Sequence, residues 1–65
     1  MIIILSKHAK EMMVERGITK EQIKIAIQRG SKIKQTGGFK SVYSYIGVCY
    51  KIKGGKYIIK TIIVE

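Results

Sequence analysis

Apolar residues follow different spacings along the chain, and each spacing predicts a different element. Residues 1–5 are an unbroken apolar run rich in isoleucine, which is typical of a β-strand. Through residues 7–29 the apolar positions recur every three or four residues, as on one face of an α-helix. Beyond residue 30 apolar and polar residues alternate, as in half-buried strands. The pattern therefore predicts an α+β domain.

Capping residues divide the helical stretch into a helical hairpin. Ser6 suits the N-cap of the first helix, and Gly17 suits the left-handed residue that follows its last turn. Thr19 and Gln22 have the spacing of a capping box, which predicts the start of a second helix. Gly30 is expected to end that helix.

Two glycine pairs, Gly37–Gly38 and Gly54–Gly55, predict β-hairpin turns. Glycine adopts the positive φ that two-residue turns need. With both pairs as loops, the stretch between them is one long middle strand that bends or bulges at Gly47. We expect a twisted antiparallel sheet, with the helical hairpin on one face and residues 1–5 paired at either edge.

The two turns also fix which side chains share a face of the predicted sheet. The expected cross-strand partners are Ile33 with Val42, Lys32 with Tyr43, Ile52 with Tyr57, Tyr50 with Ile59, and Ile46 with Ile63. The face toward the helices is then apolar and holds Val42, Ile46, Val48, Tyr50 and Ile52. The opposite face is basic and aromatic and holds Tyr43, Tyr45, Cys49, Lys51 and Lys53, with Lys32, Lys34 and Lys60 beside them.

Three apolar residues of the last strand, Ile58, Ile62 and Val64, also fall on the outer face of this prediction. An exposed apolar patch indicates a contact with another molecule. We therefore expect a homodimer contact or a partner protein at this position.

Positive charge gathers in the second half of the chain. The net charge is +9 over 65 residues, and residues 22–64 contain no acidic residue. Charge of one sign opposes folding through self-repulsion, and a bound polyanion relieves it. The alternative is a solvated lysine surface. Abundant lysine and isoleucine, without aspartate, asparagine or proline, would also suit a thermophile.

Lysines interleaved with tyrosines predict RNA binding, because lysine contacts phosphates and tyrosine stacks on unpaired bases. The predicted nucleic-acid-binding residues are Lys32, Lys34, Tyr43, Tyr45, Lys51, Lys53 and Lys60.

Residue counts exclude several other classes. One cysteine rules out a disulfide scaffold, and one cysteine with one histidine does not make a zinc site. No apolar run approaches the ~18 residues of a membrane span, and residues 1–5 are too short for a signal peptide. We expect a single cytoplasmic domain over residues 1–65, with no cofactor and no membrane partner.

Few side chains of this sequence are candidates for catalysis. His8 is the only histidine, so it is the candidate for proton transfer; the alternative is a helix-end residue bonded to nearby backbone. Arg16 is predicted on the apolar side of the first helix, where it would contact an anion or turn to solvent. Cys49 is expected to be a small strand residue. With no aspartate a Mg²⁺ nuclease site is hard to build, so RNA cleavage would be metal-free and would use the RNA's 2′-OH.

Residues 6–19 carry the pattern S-K-H-A-x-E-x-M-x-E-R-G-I-T. This pattern resembles the opening of a widespread family of short microbial domains of unknown function. That family is regarded as distantly related to RelE-type toxins, which are ribosome-dependent mRNA endonucleases. His8 and Arg16 match the family's two most recognisable polar positions. The chain ends at Glu65, without the further C-terminal element that some such toxins carry.

The resemblance implies a RelE-like fold of a strand, two helices and an antiparallel sheet. It also implies a toxin-like RNA-binding protein. More specifically, the protein would be a metal-independent endoribonuclease that acts on ribosome-bound mRNA, with His8 and Arg16 as catalytic candidates. An antitoxin protein would then be the partner. The alternative function is a non-catalytic module that binds nucleic acid or protein, including a homodimer formed through an edge strand.

Overall fold

The computed structural model describes all 65 residues and contains two helices and five strands. In chain order these are β1 (Ile2–Leu5), α1 (Lys7–Arg16), α2 (Lys20–Arg29), β2 (Ser31–Gln35), β3 (Gly38–Tyr43), β4 (Ile46–Lys53) and β5 (Lys56–Val64). The strands form one sheet in the order β1-β5-β4-β3-β2, with both helices on the same face. The predicted α+β class is therefore confirmed. Neither helix is long and apolar enough to cross a membrane.

The boundaries of α1 follow its capping residues. The Ser6 hydroxyl accepts a hydrogen bond from the Ala9 N–H at 3.0 Å. After the helix, Gly17 adopts φ +66°, and the Ile18 N–H donates to the Met13 carbonyl at 2.9 Å. This is the Schellman arrangement, in which the left-handed residue lets the chain satisfy the last carbonyls. The predicted start and end of α1 are confirmed.

The capping box of α2 forms as predicted. The Thr19 N–H donates to Gln22 Oε1 at 2.8 Å, and the Gln22 N–H donates to Thr19 Oγ1 at 3.2 Å. Two donors at the helix start, which have no partner within the helix, are thereby satisfied. Gly30 ends the helix, and β2 begins at the next residue.

The sheet is mixed, so the expectation of an antiparallel sheet is wrong for one strand. β1 pairs in parallel with β5, with Ile2 opposite Lys56 and Leu5 opposite Ile59. These two strands are separated by nearly the whole chain, so no hairpin turn dictates their relative direction. The Ser6 N–H continues the contact by donating to the Ile59 carbonyl at 3.2 Å.

A turn at Ser44–Tyr45 splits the predicted long middle strand into β3 and β4. Tyr43 pairs with Ile46, and Ser44 has φ +57°, the positive value that tight hairpin turns require. The turn puts odd-numbered residues of β3 opposite even-numbered residues of β4. Ser41 therefore faces the helices and Val42 faces away, which corrects the expected placement of Val42 and Tyr43.

The first hairpin turn lies one residue earlier than predicted. Gln35 pairs with Gly38, so Thr36 and Gly37 form the loop. As a consequence Ile33 lies opposite Lys40, and the expected partner Val42 lies opposite Ser31. The second turn, at Gly54–Gly55, is confirmed, and both glycines have positive φ.

A β-bulge interrupts the pairing of β4 with β5, at Lys60 and not at Gly47. Tyr50 pairs with Ile59 and Cys49 pairs with Thr61, which leaves Lys60 without an opposite residue. An extra residue in one strand resets the alternation of faces beyond it.

The bulge changes the expected outer apolar patch. Ile58 lies opposite Lys51 and stays on the outer face, but Ile62 lies opposite Val48 and is only 1% exposed. Val64 pairs with Ile46, the position expected for Ile63, and therefore also faces the helix side. The expected placement of Ile62 and Val64 is wrong.

The core lies between the helices and the middle of the sheet. Its buried apolar residues are Ala9, Ile18, Ile23, Ala26, Ile27, Ile46, Val48, Tyr50, Ile59 and Ile62. The Tyr50 ring lies 5.8 Å from Phe39 and 5.7 Å from Tyr57 between ring centres, so three aromatic rings span the three central strands. Each fully buried isoleucine contributes about 2 kcal/mol to folding, which makes this cluster the main source of stability.

Candidate nucleic-acid interface

The sheet face away from the helices, here called the outer face, carries the exposed lysines of the last hairpin. β4 and β5 extend beyond β3, whose last pair with β4 joins Phe39 to Tyr50. Residues 51–56, here called the hairpin arm, are all exposed. Apart from Gly38, whose backbone lies against Lys51, only β1 flanks this part of the sheet. The arm therefore stands out from the body of the molecule.

Three lysines share the outer face of this arm, and we call Lys51, Lys53 and Lys56 the lysine triad. Lys53 lies directly opposite Lys56, and Lys51 lies two residues before Lys53 on the same strand. Side chains in such cross-strand pairs are about 5 Å apart at Cβ, and positions two residues apart are about 7 Å apart. Like charges in this arrangement repel each other.

No acidic side chain neutralises the triad. The only ion pair of the protein joins Lys40 Nζ to Glu65 Oε1 at 2.8 Å, at the opposite end of β5. The lysine triad takes part in no ion pair and no side-chain hydrogen bond. Its three ammonium groups are therefore free to contact an external anion.

The two other lysines near the middle of this face already have partners. Lys60 Nζ donates to the Gly37 carbonyl at 2.9 Å, so its side chain reaches past β4 to the β2–β3 turn. The hydrogen bond to Glu65 raises the pKa of Lys40 above its ordinary value, against the opposing effect of desolvation. An added Cβ at Gly47 would lie 3.1 Å from Lys40 Cε, so the glycine leaves room for the ion pair above it.

The structure does not bring the predicted tyrosines to the triad. Tyr43 pairs with Ile46 on the helix side and lines a small open cleft of about 220 Å³ with Gln22 and Ile25. Tyr45 lies in the β3–β4 turn, where its carbonyl accepts the Glu65 N–H at 2.7 Å. Along β4 the distance from Tyr45 to Lys51 is about 20 Å.

The predicted lysines of β2 lie away from the triad as well. Lys32 pairs with Ser41 and Lys34 with Phe39, both of which face the helix side. The two lysines are exposed at the edge of the sheet. Of the predicted lysines, only Lys51, Lys53 and Lys60 are grouped on or beside the hairpin, and their binding role stays a prediction.

His8 and Arg16 lie on α1, in the helical layer. Both are exposed and neither makes a side-chain hydrogen bond or an ion pair. Of the two alternatives expected for Arg16, the structure has the side chain turned to solvent in the last turn of α1. Because α1 covers the other face of the sheet, neither residue joins the lysine triad. Cys49 is buried beside Lys40, its partner in the ladder.

Lys56 is the member of the triad that the sequence reasoning missed. The signal was present, because a turn at Gly54–Gly55 sets Lys53 directly opposite Lys56. Extending the predicted register by one pair toward the turn would have found it.

Residues 5–64 match the model of DUF4258, a domain of unknown function. This chain belongs to the DUF4258 family. No protein with a curated description matches it.

Among solved structures, the fold is similar to that of a chain in the crystal structure of the toxin–antitoxin complex RelBE2 from Mycobacterium tuberculosis. The TM-score is 0.73 at 12% sequence identity, and the similarity covers 98% of this chain and 96% of the other. At this identity the likeness shows a shared fold. Family and fold together agree with the distant RelE-like relation expected from the opening residues.

Proposed function

We propose that this protein binds RNA through the lysine triad of the hairpin arm. The observation that carries the proposal is the grouping of three unpartnered ammonium groups on one exposed face, with the nearest ion pair at the other end of the strand. Phosphates placed there would neutralise mutual repulsion and release counterions, and both effects favour binding.

The fold likeness supports a second part of the proposal, namely that the protein acts as the toxin-like component of a toxin–antitoxin pair. Its RNA would then be ribosome-bound mRNA. An antitoxin that carries an acidic segment would complement the triad and compete with RNA for it, because both ligands present negative charge to the same lysines.

Metal-free cleavage of the bound RNA is the finer candidate, and it rests on the resemblance of residues 6–19 to relatives of RelE-type toxins. Such cleavage needs a general base to take the proton of the 2′-OH and a cation to stabilise the phosphorane that forms. The exposed positions of His8 and Arg16 on α1 weigh against their acting on RNA held at the triad. Binding is therefore the function that the geometry supports best.

The binding test compares two variants of equal net charge. One is K51Q/K53Q/K56Q, here called the triad variant, and the other is K10Q/K20Q/K24Q, which removes three exposed helix lysines. Fluorescence anisotropy with a labelled single-stranded RNA should show binding that weakens steeply with salt. The triad variant should lose most of this binding and the helix variant little. Equal losses in the two variants would show that general charge, and not the triad, binds RNA.

The cleavage test incubates end-labelled mRNA with the protein in EDTA, with and without ribosomes. Cleavage that is absent from His8→Ala, while RNA binding is unchanged, would support an endoribonuclease. Binding without cleavage in both conditions supports the non-catalytic module.

The edges of the sheet bear on the homodimer alternative. β1 (Ile2–Leu5) is an uncharged apolar edge, whereas the other edge carries Lys32 and Lys34. Charged side chains on edge strands discourage pairing with another chain, so β1 is the edge open to a second copy. Light scattering at several concentrations distinguishes monomer from dimer, and Ile4→Lys, at an exposed outer-face position, should abolish a dimer formed through β1.

A further inference from the structure

We infer that the lysine triad recognises the phosphate backbone alone, so that it binds RNA and DNA, single- or double-stranded, without sequence preference. The inference rests on the proposed function and names the substrate class of the same site. It follows from what surrounds the triad on the outer face.

The surroundings of the triad are aliphatic. Ile58 lies opposite Lys51, and the neighbouring strand β1 places Ile2 beside Lys56 and Ile4 beside Ile58. Recognition of unpaired bases depends on aromatic side chains on which the bases stack. No residue of the outer face near the triad offers such a ring.

The aromatic residues of the protein lie away from the triad. Phe39, Tyr50 and Tyr57 pack against one another on the helix side of the sheet. Tyr43 also faces that side, and Tyr45 lies in a turn about 20 Å from Lys51 along β4. A base next to a phosphate held by the triad would therefore find no aromatic ring on which to stack.

Side chains that read base edges are also absent from the arm. Arginine, asparagine and glutamine make the bidentate contacts that distinguish bases. The chain contains no asparagine, and its arginines, Arg16 and Arg29, belong to the helices. Gln35, on β2, pairs with Gly38, so its backbone lies two strand spacings, about 10 Å, from β4. Lysine lacks the planar fork of arginine and acts as a flexible point charge, and its contacts with phosphates carry no sequence information.

The experiment measures anisotropy with labelled oligonucleotides of one length: oligo-U, oligo-A, oligo-dT, an RNA duplex and a DNA duplex. Three phosphate contacts predict a slope of log affinity against log salt of about −2 on single strands and about −2.7 on duplexes. Affinity should be equal within about threefold among the single strands, because one base-reading contact would already discriminate by more than about fivefold. Tyr45→Ala should bind like the wild type.

The outcomes separate this inference from the proposed function. A preference of more than about fivefold for one homopolymer, or for RNA over DNA, would overturn the inference, since a contact to a base or to the 2′-hydroxyl would then exist. If that preferred binding is still lost in the triad variant, the proposed function stands. If no oligonucleotide binds, or the triad variant binds like the K10Q/K20Q/K24Q variant, the proposed function itself fails.

Discussion

At the scale of single residues, small side chains allow a close approach at the joint between α2 and β3. Ser41 is the one buried polar residue, and its hydroxyl donates to the Ala26 carbonyl at 2.7 Å. The Gly30 N–H donates to the same carbonyl at 2.8 Å. A Cβ added at Gly30 would lie 2.4 Å from that oxygen and 2.8 Å from the Val42 carbonyl. The small residues therefore let the helix end approach the strand.

We expect Gly30→Ala to lower the free energy of unfolding by about 3 kcal/mol, because both obstructing atoms belong to the backbone and cannot move aside. Gly17→Ala is the matched control. Its Cβ meets no atom, so only the positive φ opposes it, at about 1 kcal/mol. Urea denaturation measures both. Equal losses of stability in the two variants would show that the backbone at the α2–β3 joint shifts to accommodate the added methyl group without strain.

The buried phenol of Tyr50 leads us to expect that the folded protein loses stability at alkaline pH. Burial raises the pKa of its phenol above the ordinary value, and the neighbouring Tyr57 adds to the shift. The unfolded chain then loses the phenolic proton at lower pH than the folded protein does. Stability from this group is complete below about pH 10 and falls as pH rises through the folded pKa.

Urea midpoints between about pH 8 and about pH 11 test this expectation. Tyr50→Phe should reduce the loss of stability at alkaline pH, whereas Tyr45→Phe, at a half-exposed position, should not. The Lys40–Glu65 pair contributes in the same direction, because the raised pKa of Lys40 also favours the folded state until that lysine deprotonates. Part of the alkaline loss will therefore persist in Tyr50→Phe. An unchanged pH profile in that variant would contradict the assignment.

At the scale of elements, the bulge at Lys60 decides which residues of β5 reach the core. Ile59 and Ile62 both face the helices although three positions separate them. In a regular strand residues three apart face opposite sides. The extra residue at Lys60 removes this conflict, and the Ser6 hydroxyl fixes the bulged backbone by donating to the Lys60 carbonyl at 3.0 Å.

Deletion of Lys60 should therefore preserve the fold. The shortened strand alternates regularly, with Ile59 and Ile62 still facing the helices. The deletion removes the hydrogen bonds of the Lys60 carbonyl with Ser6 and of Lys60 Nζ with Gly37, at about 1 kcal/mol each. Deletion of Cys49, from the facing strand of the same hairpin, should unfold the protein because it turns Val48 and Ile46 outward. Thermal melts followed by circular dichroism compare the two. Cooperative unfolding of the Cys49 deletion near the wild-type temperature would contradict this account.

At the scale of the whole molecule, a net charge of +9 on 65 residues sets the response to ions. No acidic side chain forms an ion pair with the hairpin arm, so salt or a bound anion relieves the repulsion within the triad. A ligand that binds only the folded state adds to its stability by mass action.

The triad variant should be more stable than the wild type at low salt, by about 0.5–1 kcal/mol, because it removes facing like charges. Its stability should also change less between low and high salt, since less repulsion remains to be screened. Heparin should raise the melting temperature of the wild type more than that of the triad variant. The K10Q/K20Q/K24Q variant serves as the charge-matched control. If it gains as much stability, the repulsion is spread over the whole surface.

The helices, their caps and the second hairpin turn could be predicted from the sequence, because each depends on residues within a few positions of one another. Thr19 with Gln22 and Gly54 with Gly55 are such local signals. Three features had no such signal: the turn at Ser44–Tyr45, which lacks glycine, the bulge at Lys60, and the parallel pairing of β1. Each of them is decided by which strand packs against which.

The same division holds for the candidate site. The concentration of lysine in an acid-free half, and the opposition of Lys53 to Lys56 across a glycine turn, follow from the sequence alone. Tertiary structure decided that Tyr43, Lys32 and Lys34 lie on the helix side and that Lys60 is held by the Gly37 carbonyl. The physical reason is that a strand's two faces differ by a single residue of register, and only the packing of the whole sheet against the helices fixes that register.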